Sequence, residues 1–225
     1  SKVSKTVIVL GEESLLTPVL SGISEKHNNY NVTMGFPLLQ TQASKIIFQF
    51  IKLHLNSKDD RFFLFDIKHF LELFPTSELF GLLIVDLRRL LNKNEKLNNG
   101  YILSNEILEL LKENKLGSLF FKPFKSVYEF IKRILELSSF YIEFLNKKDS
   151  KKNISIIYSY KRFELIFNKI IAFEEKKSFI KNLEELKLIL NSLLKFEKIN
   201  FNTDPFNEIQ IMGLLETRLL DFENV

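Results

Sequence analysis

The chain has 225 residues, 45% of them hydrophobic and 27% charged, with a formal net charge of +4 and a pI near 9.0. This composition excludes wholesale disorder and supplies a core for one large domain or two small ones. The absence of cysteine excludes disulfides and thiolate metal ligands within the chain, and the three histidines are scattered, so a zinc site is not expected. The mild positive charge permits nucleic-acid binding without requiring it.

Neither a secretion signal nor a membrane span is expected. The N-terminal run SKVSKTVIVLGEE reaches Glu12 after a short apolar stretch, too short for a signal peptide. The longest tight apolar stretch, Leu79–Val85, is far below the roughly 18 residues of a transmembrane helix. Together with the absence of cysteine, these features predict a protein of the cytoplasm without a membrane partner.

The N-terminal part alternates between strand and helix signals. The β-branched run Thr6–Leu10 predicts a strand, and the apolar-periodic segment Leu15–Ile23 predicts a helix. The segment Asn31–Thr41 (NVTMGFPLLQT) predicts a second strand, a turn at Thr33–Gly35 and a helix that starts at Pro37.

From Leu55 to Lys198 the pattern changes to one helix after another. Ser77 and Ser104 are predicted to cap helices, and the helix that follows Ser104 is predicted to end near Gly117. Most of the 23 phenylalanines recur at helical core spacing, which predicts core packing rather than base stacking. The predicted helices are Ala43–Leu55, Asp66–Phe74, Leu79–Leu91, Ser104–Leu111, Ser126–Leu145, Ile154–Phe173 and Ser178–Phe196.

The C-terminal part returns to strand signals. Ile199 and Phe201, the turn residues 202–205 and the apolar run Ile209–Gly213 predict a hairpin. We therefore predict a predominantly helical α+β fold. Two α/β segments, residues 1–55 and 199–225, are predicted to flank an all-α block, residues 56–198.

The final segment, Ile209–Val225 (IQIMGLLETRLLDFENV), resembles a motif of superfamily-1 helicases of the RecB and UvrD type. In those proteins a strand is followed by Thr-x-His-x-x-Lys-Gly-Leu-Glu-Phe. Here the motif Thr falls on Gly213, the Lys on Arg218 and the Gly on Leu219, while Leu220–Phe222 keep the Leu-Glu-Phe character. The order of residue types is retained, but several positions that serve nucleotide are changed. The segment is therefore similar to the inactivated helicase halves of AddB- and RecC-like subunits.

The N-terminal part carries a second resemblance. A strand at Thr6–Leu10, a helix, and then the Val-Thr-Met-Gly-Phe-Pro-Leu element look like the opening of the second RecA-like domain of AddB-type nucleases. The resemblance implies a partial RecA-like 2A domain, formed by the two ends of the chain, with an inserted helical 2B-like domain. It implies a parent protein that processes double-strand DNA ends in recombinational repair, as an ATP-dependent or inactivated helicase fused to an exonuclease.

No catalytic, cofactor-binding or metal-binding residue is predicted in this chain. A phosphate-binding P-loop needs a Gly-Lys pair, and none of the seven glycines is followed by lysine. The carboxylates Asp59, Asp60, Asp66 and Asp204 lack the spacing and the lysine of a nuclease metal site. The resemblance allows ATP and Mg²⁺ in the parent protein only.

Two segments are candidates for DNA contact near the ends of the chain. The Thr33 hydroxyl and the Gly35 N–H can hydrogen-bond phosphate without sequence preference, although a plain turn into a helix explains them as well. Thr217 and Arg218 fit a retained phosphate or interdomain contact. The alternative is a connector in which Arg218 pairs with Asp221.

One loop carries a local excess of positive charge. Lys147, Lys148, Lys151 and Lys152 face a single acidic residue between them, Asp149. This loop is either a DNA-facing loop or a solvated one. The other basic groups, such as Arg88-Arg89, are mostly interleaved with acidic residues and predict solvated helix faces.

These observations predict a non-catalytic segment that contributes DNA-backbone contact or interdomain scaffolding. The implied partners are DNA, either double-strand ends or single strands, other domains of the same parent chain and a helicase-nuclease partner subunit. The alternative is a helical protein-protein interaction module with no DNA role. Salt dependence separates the two, because phosphate contacts weaken steeply with salt and apolar contacts do not.

Overall fold

The computed structural model describes residues 6–12, 15–23, 30–73, 79, 81, 83–111, 114–147, 154–175, 179–199 and 209–217. These residues form a mixed α+β structure dominated by helices, which confirms the predicted predominantly helical α+β class. The chain divides into two compact units. Unit 1 contains Ser1–Gln40 and Leu194–Val225, and unit 2 contains Thr41–Leu193.

Unit 1 is built on a three-stranded parallel sheet. Its strands are β1 (Thr6–Leu10), β2 (Tyr30–Val32) and β7 (Ile209–Gly213), and β7 lies in the middle. All five residues of β7 pair with β1, from Thr6 opposite Ile209 to Leu10 opposite Gly213, and the first three also pair with β2. Strands from opposite ends of the sequence therefore form one sheet.

The predicted hairpin between residues 199–201 and 209–213 is wrong. β6 (Lys198–Ile199) pairs antiparallel with β3 (Phe36–Pro37) instead, and the backbone N–H of Leu38 donates to the Glu197 carbonyl at 2.8 Å. β7 is an apolar run buried between two parallel neighbours, which is the usual setting of such strands. Its pairing partners are distant in sequence, so local turn signals could not reveal them.

A small core lies on one face of the sheet. Leu16, in the short helix α1 (Leu16–Gly22), joins Leu10, Val32, Met34 and Ile211 in one buried cluster. The adjacent sheet positions carry polar side chains that are also buried: Asn31 Nδ2 donates to Gln210 Oε1 at 2.6 Å. This bond joins residues paired in the sheet register and satisfies amide groups that would otherwise be desolvated.

Unit 2 consists mainly of helices. They are α2 (Gln42–Leu55), α3 (Leu64–Leu73), α4 (Leu83–Lys96), α5 (Ser104–Leu110), α6 (Lys115–Phe121), α7 (Val127–Lys147), α8 (Ile154–Glu174) and α9 (Leu183–Leu194), whose last residue belongs to unit 1. They confirm the predicted helical block. The bounds Leu55, Ser104 and Ile154 are as predicted and the others differ by a few residues, while α6 was not predicted as a separate helix. No helix among the described residues is long and apolar enough to cross a membrane.

The unit boundaries lie at other residues than those predicted. The first falls after Gln40 rather than after residue 55, because α2 packs on α3: the Phe50 and Phe70 ring centroids are 5.9 Å apart, and Gln49 Nε2 donates to the Asp66 carbonyl at 3.3 Å. The helix predicted to start at Pro37 is a single 3₁₀ turn, Leu38–Gln40, directly after Pro37, which ends β3 (Phe36–Pro37). α2 begins at Gln42, where the Thr41 hydroxyl accepts from the Ser44 N–H at 3.2 Å and caps the helix.

Phenylalanines fill the core of unit 2, as their helical spacing predicted. The Phe50 ring stacks on Phe130 with centroids 5.1 Å apart, and Phe120 and Phe70 meet edge to face at 4.8 Å. Phe62, Phe121, Phe163 and Phe167 are also fully buried. A minority of the described phenylalanines are exposed, among them Phe65.

Unit 2 also contains a β-ribbon that the sequence did not predict. β4 (Arg61–Phe63) and β5 (Tyr101–Leu103) pair antiparallel, with Phe62 and Ile102 directed inward and buried. The turn before β4 places Asp59 and Asp60 at φ values of 49° and 58°, in the left-handed region. The nearby Asp66 is fully buried and binds Lys52 Nζ at 3.3 Å and Asn56 Nδ2 at 2.6 Å, so its role is structural.

Two local predictions in this unit are wrong. Ser104 does not cap α5 with its side chain: its hydroxyl donates to the Phe121 carbonyl at 2.6 Å. Gly117 does not end a helix but lies buried inside α6, where a Cβ atom would be 2.5 Å from Leu111 Cβ. Gly117 is therefore required by close packing, and Asn114 caps α6 by accepting from the backbone N–H of Leu116 and Gly117. The predicted cap Ser77 lies outside the described residues.

Substituting Gly117 by alanine is expected to lower the free energy of unfolding by about 2 kcal/mol, since the overpacking penalty exceeds the gain of roughly 1 kcal/mol in helix propensity. Urea denaturation followed by circular dichroism measures this change. Ser118→Ala, at an exposed position of the same helix, is the matched control and should stay within about 0.5 kcal/mol of the wild type. Equal urea midpoints for the two variants would show that the backbone at Leu111 moves to accommodate the added methyl group without a loss of stability.

Candidate functional site

The carboxyl ends of β1, β2 and β7 meet at one edge of the parallel sheet in unit 1. Three segments follow these strands: Gly11–Glu12, Thr33–Gly35 and Leu214–Thr217. We call these three segments the sheet edge. In open α/β sheets, ligands bind beyond the carboxyl ends of the strands, so the sheet edge is the first place to look for function.

Hydrogen bonds hold the segments of the sheet edge together. The Thr33 hydroxyl donates to a Glu216 carboxylate oxygen, and the Thr33 N–H donates to the Ile211 carbonyl at 3.0 Å. Glu216 also accepts from the Gly213 N–H at 3.4 Å, and the Thr217 hydroxyl donates to the Leu214 carbonyl at 2.8 Å. Two segments that lie about 180 residues apart in the sequence are thus bonded to each other.

The structure brings the predicted residues Thr33, Gly35 and Thr217 to this edge. It adds Glu216, which the sequence analysis did not single out as an internal partner. The signal that could have found Glu216 is an acidic side chain in a turn directly after a buried strand, where backbone N–H groups seek acceptors. The fourth predicted residue of this group, Arg218, lies outside the described residues.

The sheet edge is acidic and partly apolar. Its described residues include the carboxylates Glu12 and Glu216 but no lysine or arginine, and Arg218, the next residue after Thr217, lies outside them. Leu214 and Leu215 are 63% and 71% exposed, and Leu15, just beyond Glu12, is also exposed. Carboxylates repel phosphate, and exposed leucines favour contact with apolar protein surface. The chemistry of the sheet edge therefore suits a protein neighbour better than a phosphate backbone.

The predicted basic loop is described only at its start. Lys147 is the last residue of α7, and its side chain is exposed. Its positive charge interacts favourably with the negative, C-terminal end of the helix dipole, which is a structural reason for a lysine there. Lys148, Lys151 and Lys152 lie outside the described residues, so their DNA-contact role stays a prediction.

A basic groove lies on α4 in unit 2. It has a volume of about 540 Å³, and its charged lining residues are Arg89, Lys93 and Lys96. Asn92 and Leu97 complete the lining. Because all three charges are positive, the groove attracts anions.

A second concavity, of about 300 Å³, lies beside His54, Asp59 and Asp60. His54 is buried, its Nε2–H donates to the Phe120 carbonyl at 2.9 Å, and burial lowers its pKa to about 3. The neighbouring Ser57 hydroxyl donates to the His54 carbonyl at 2.7 Å rather than to the ring. This arrangement lacks an activated nucleophile and a poised base, so it does not support acyl or phosphoryl transfer.

Metal binding finds no support in the described part of the chain. No group of three or more His, Asp or Glu side chains there is arranged to hold a metal ion. A small apolar cavity, lined mainly by α2, α7 and α8, measures about 20 Å³, which is room for one water molecule and not for a substrate.

Comparison with known proteins does not assign the chain to a family. No protein-family model matches the chain, and no curated protein matches it.

Proposed function

We propose that this chain is a non-catalytic part of a helicase-nuclease-like protein that acts on double-strand DNA ends. In this proposal unit 1 corresponds to part of a RecA-like 2A domain, and unit 2 to the helical 2B-like domain inserted into it. The observation that carries the proposal is the position of β7 between β1 and β2. This pairing unites at one sheet edge the two segments that resemble helicase sequence elements.

Within this proposal, the sheet edge is an interdomain contact rather than a phosphate site. The Thr33 hydroxyl already donates to Glu216, and a second carboxylate, Glu12, lies after the neighbouring strand. The exposed Leu214 and Leu215 supply apolar surface for another domain of the same parent chain or for a partner subunit. DNA contact is then carried by other surfaces of the chain.

The alternative function is a protein-protein interaction module without a DNA role. Exposed large apolar side chains in unit 2 favour this alternative, namely Leu165, Phe173, Phe179 and Leu188. Apolar side chains on helices can bind a partner helix in a groove, and such binding changes little with salt.

A tailed DNA duplex separates the two functions. The proposal predicts binding to a labelled duplex with a single-stranded tail, at micromolar or tighter affinity that falls steeply as salt is raised, measured by fluorescence anisotropy. Glu216→Gln is expected to leave this affinity unchanged within about twofold, because the sheet edge does not contact phosphate in this proposal. Glu109→Gln, an exposed glutamate on α5, is the matched control.

Two outcomes would contradict the proposal in different ways. Failure to bind tailed and blunt duplexes even at low salt would favour the protein-interaction module. Clearly tighter DNA binding by Glu216→Gln, with no change for Glu109→Gln, would instead show that the sheet edge contacts the DNA backbone. This is the DNA contact that the sequence predicted for Thr33, Gly35 and Thr217.

A further inference from the structure

Unit 2 carries a row of cations on α4 and a row of aromatic rings on the ribbon and α3, of which Phe65 and Tyr101 are exposed and Phe63 is half-buried. The cations come from the exposed side of α4, whose opposite side buries Ile84, Leu87 and Leu91. Arg89, Lys93 and Lys96 recur at intervals of four and three residues, which places them on one side of the helix. They line the groove of about 540 Å³, and no acidic side chain lines it.

The ion pairs around this row leave its charge available. Arg89 Nη1 lies 3.0 Å from Asp86 Oδ1, but both side chains are largely exposed, and such pairs exchange readily with water or with another anion. The acidic residue nearest to Lys96 in the sequence, Glu95, binds Lys68 of α3 at 2.6 Å. Glu95 is therefore directed to a different helix and is balanced by its own cation.

The aromatic part of the surface lies on the β-ribbon and the start of α3. Phe63 is paired with Tyr101 across the ribbon, and their ring centroids are 5.3 Å apart. Phe65 continues the row at 6.5 Å from Phe63, and 61% of its surface is exposed. Phe62 and Ile102 face the core, so the alternation of the strands directs Phe63 and Tyr101 to the opposite side.

A tight turn joins the two parts. Leu97 lines the groove, and residues 98–100 lead from it directly into Tyr101. The Asn99 N–H donates to the Asn94 carbonyl at 2.9 Å, and Asn99 Nδ2 donates to Asn94 Oδ1 at 3.0 Å. These bonds fold the turn back onto the end of α4. The end of the groove at Leu97 and the ribbon at Tyr101 are therefore joined by a turn of three residues.

We propose that this α4–ribbon surface, formed by Arg89, Lys93, Lys96, Phe63, Phe65 and Tyr101, binds single-stranded nucleic acid. A row of cations beside exposed rings is the combination that single strands require, because the cations follow the phosphates while unpaired bases stack on the rings. A duplex keeps its bases inside and would leave the rings unused. The surface belongs to unit 2, whereas the sheet edge belongs to unit 1, and it does not depend on the helicase resemblance.

The first test uses the full chain and a fluorescein-labelled oligothymidylate of about 20 nucleotides, longer than the roughly 4–16 nucleotides that one such site covers. The triple variant Arg89→Glu, Lys93→Glu, Lys96→Glu is expected to weaken binding by more than about tenfold and to flatten the salt dependence, because phosphate contacts are lost. The matched control is Lys161→Glu, Lys169→Glu, Lys187→Glu, which changes the net charge equally at exposed helix positions. Equal losses for the two triple variants would overturn the proposal.

The second test concerns the rings. Phe65→Leu combined with Tyr101→Leu keeps apolar bulk, so the circular dichroism spectrum and the urea midpoint should match those of the wild type. Loss of stacking is expected to weaken oligothymidylate binding by about tenfold, while binding of a blunt duplex changes less than about twofold. An unchanged affinity for oligothymidylate would overturn the proposal. Tighter binding of polyglutamate than of oligothymidylate would also overturn it, in favour of an acidic protein partner.

These outcomes are separable from those of the proposed function. Binding of oligothymidylate at the α4–ribbon surface without any binding of duplex would uphold this site and contradict the role at double-strand ends. If both the triple variant and the ring variant still bound the tailed duplex, the role at double-strand ends would be upheld and the single-strand site contradicted.

Discussion

Lowering the pH from about 7 to about 5 is expected to reduce the free energy of unfolding by about 2 kcal/mol through His54 alone. The imidazole is buried among the rings of Phe50, Phe62, Phe124 and Phe130, whose centroids lie 4.9–5.5 Å away. Burial lowers the pKa of His54 from 6.5 to about 3, although the hydrogen bond to the Phe120 carbonyl opposes the shift. The folded protein therefore holds the ring neutral.

The sign of the effect follows from where the proton binds. Between a pH of about 6.5 and about 3, the unfolded chain takes up a proton at His54 and the folded chain does not. Stability is therefore complete above the unfolded pKa and falls as the pH drops toward the folded pKa. Urea denaturation at a series of pH values measures the slope.

His54→Gln is the decisive variant for this prediction. Glutamine can still donate to the Phe120 carbonyl but does not titrate, so the loss of stability between pH about 7 and about 5 should largely disappear, although the variant is less stable at every pH. His69→Gln removes a histidine elsewhere in unit 2 and should keep the wild-type slope, because His54 is still present. A wild-type slope in His54→Gln would show that another group carries the pH dependence.

The helices of unit 2 could be predicted because their signal is local. In α7 the apolar residues Val127, Phe130, Ile131 and Ile134 recur at helical spacing and are all buried, so the periodicity alone locates the helix and its inner face. The same reasoning located α2 and α8. Their ends were less certain, because caps such as Thr41 depend on one side chain.

The ribbon and the central position of β7 could not be predicted in this way. β4 and β5 are three residues each and are separated by α3 and α4, so neither shows enough alternation to be recognised without its partner. β7 was recognised as a strand, but its partners come from the other end of the chain. Pairing over such distances depends on the whole fold rather than on local residue types.

The candidate site was predictable only in its residue types. The sequence placed Thr33 and Thr217 each after a strand, but it could not show that Thr33 bonds to Glu216. The sequence also predicted that Arg88 and Arg89 lie on a solvated helix face without a binding role. The groove on α4 depends on Lys93, Lys96 and the turn after Leu97, whose positions relative to one another follow from the fold of unit 2.

Replacing Arg133 by leucine is expected to lower the free energy of unfolding by about 3 kcal/mol, since hydrogen bonds to a charged group contribute roughly 1.5–3 kcal/mol each. The guanidinium is buried in α7 and donates to the carbonyls of Lys122 and Pro123 and to the Glu129 carboxylate. Leucine would leave the two carbonyls without this donor. Urea denaturation at neutral pH measures the loss.

The effect should spread beyond the removed bonds. Arg133 holds the segment that carries Phe124, whose ring lies 4.9 Å from Phe130 and 5.5 Å from His54. If this segment loosens, water can reach His54, and the pKa of His54 rises toward its ordinary value. Arg133→Leu should therefore also flatten the pH dependence described above.

Lys132→Leu is the matched control, because it removes the same charge from the preceding position of α7, where the side chain is exposed. Its free energy of unfolding should stay within about 0.5 kcal/mol of the wild type, and its pH dependence should be unchanged. If Arg133→Leu unfolded at the wild-type urea concentration, the carbonyls of Lys122 and Pro123 would have to be satisfied by water at no net loss. If it were less stable but kept the full pH slope, Arg133 would stabilise the fold without controlling the burial of His54.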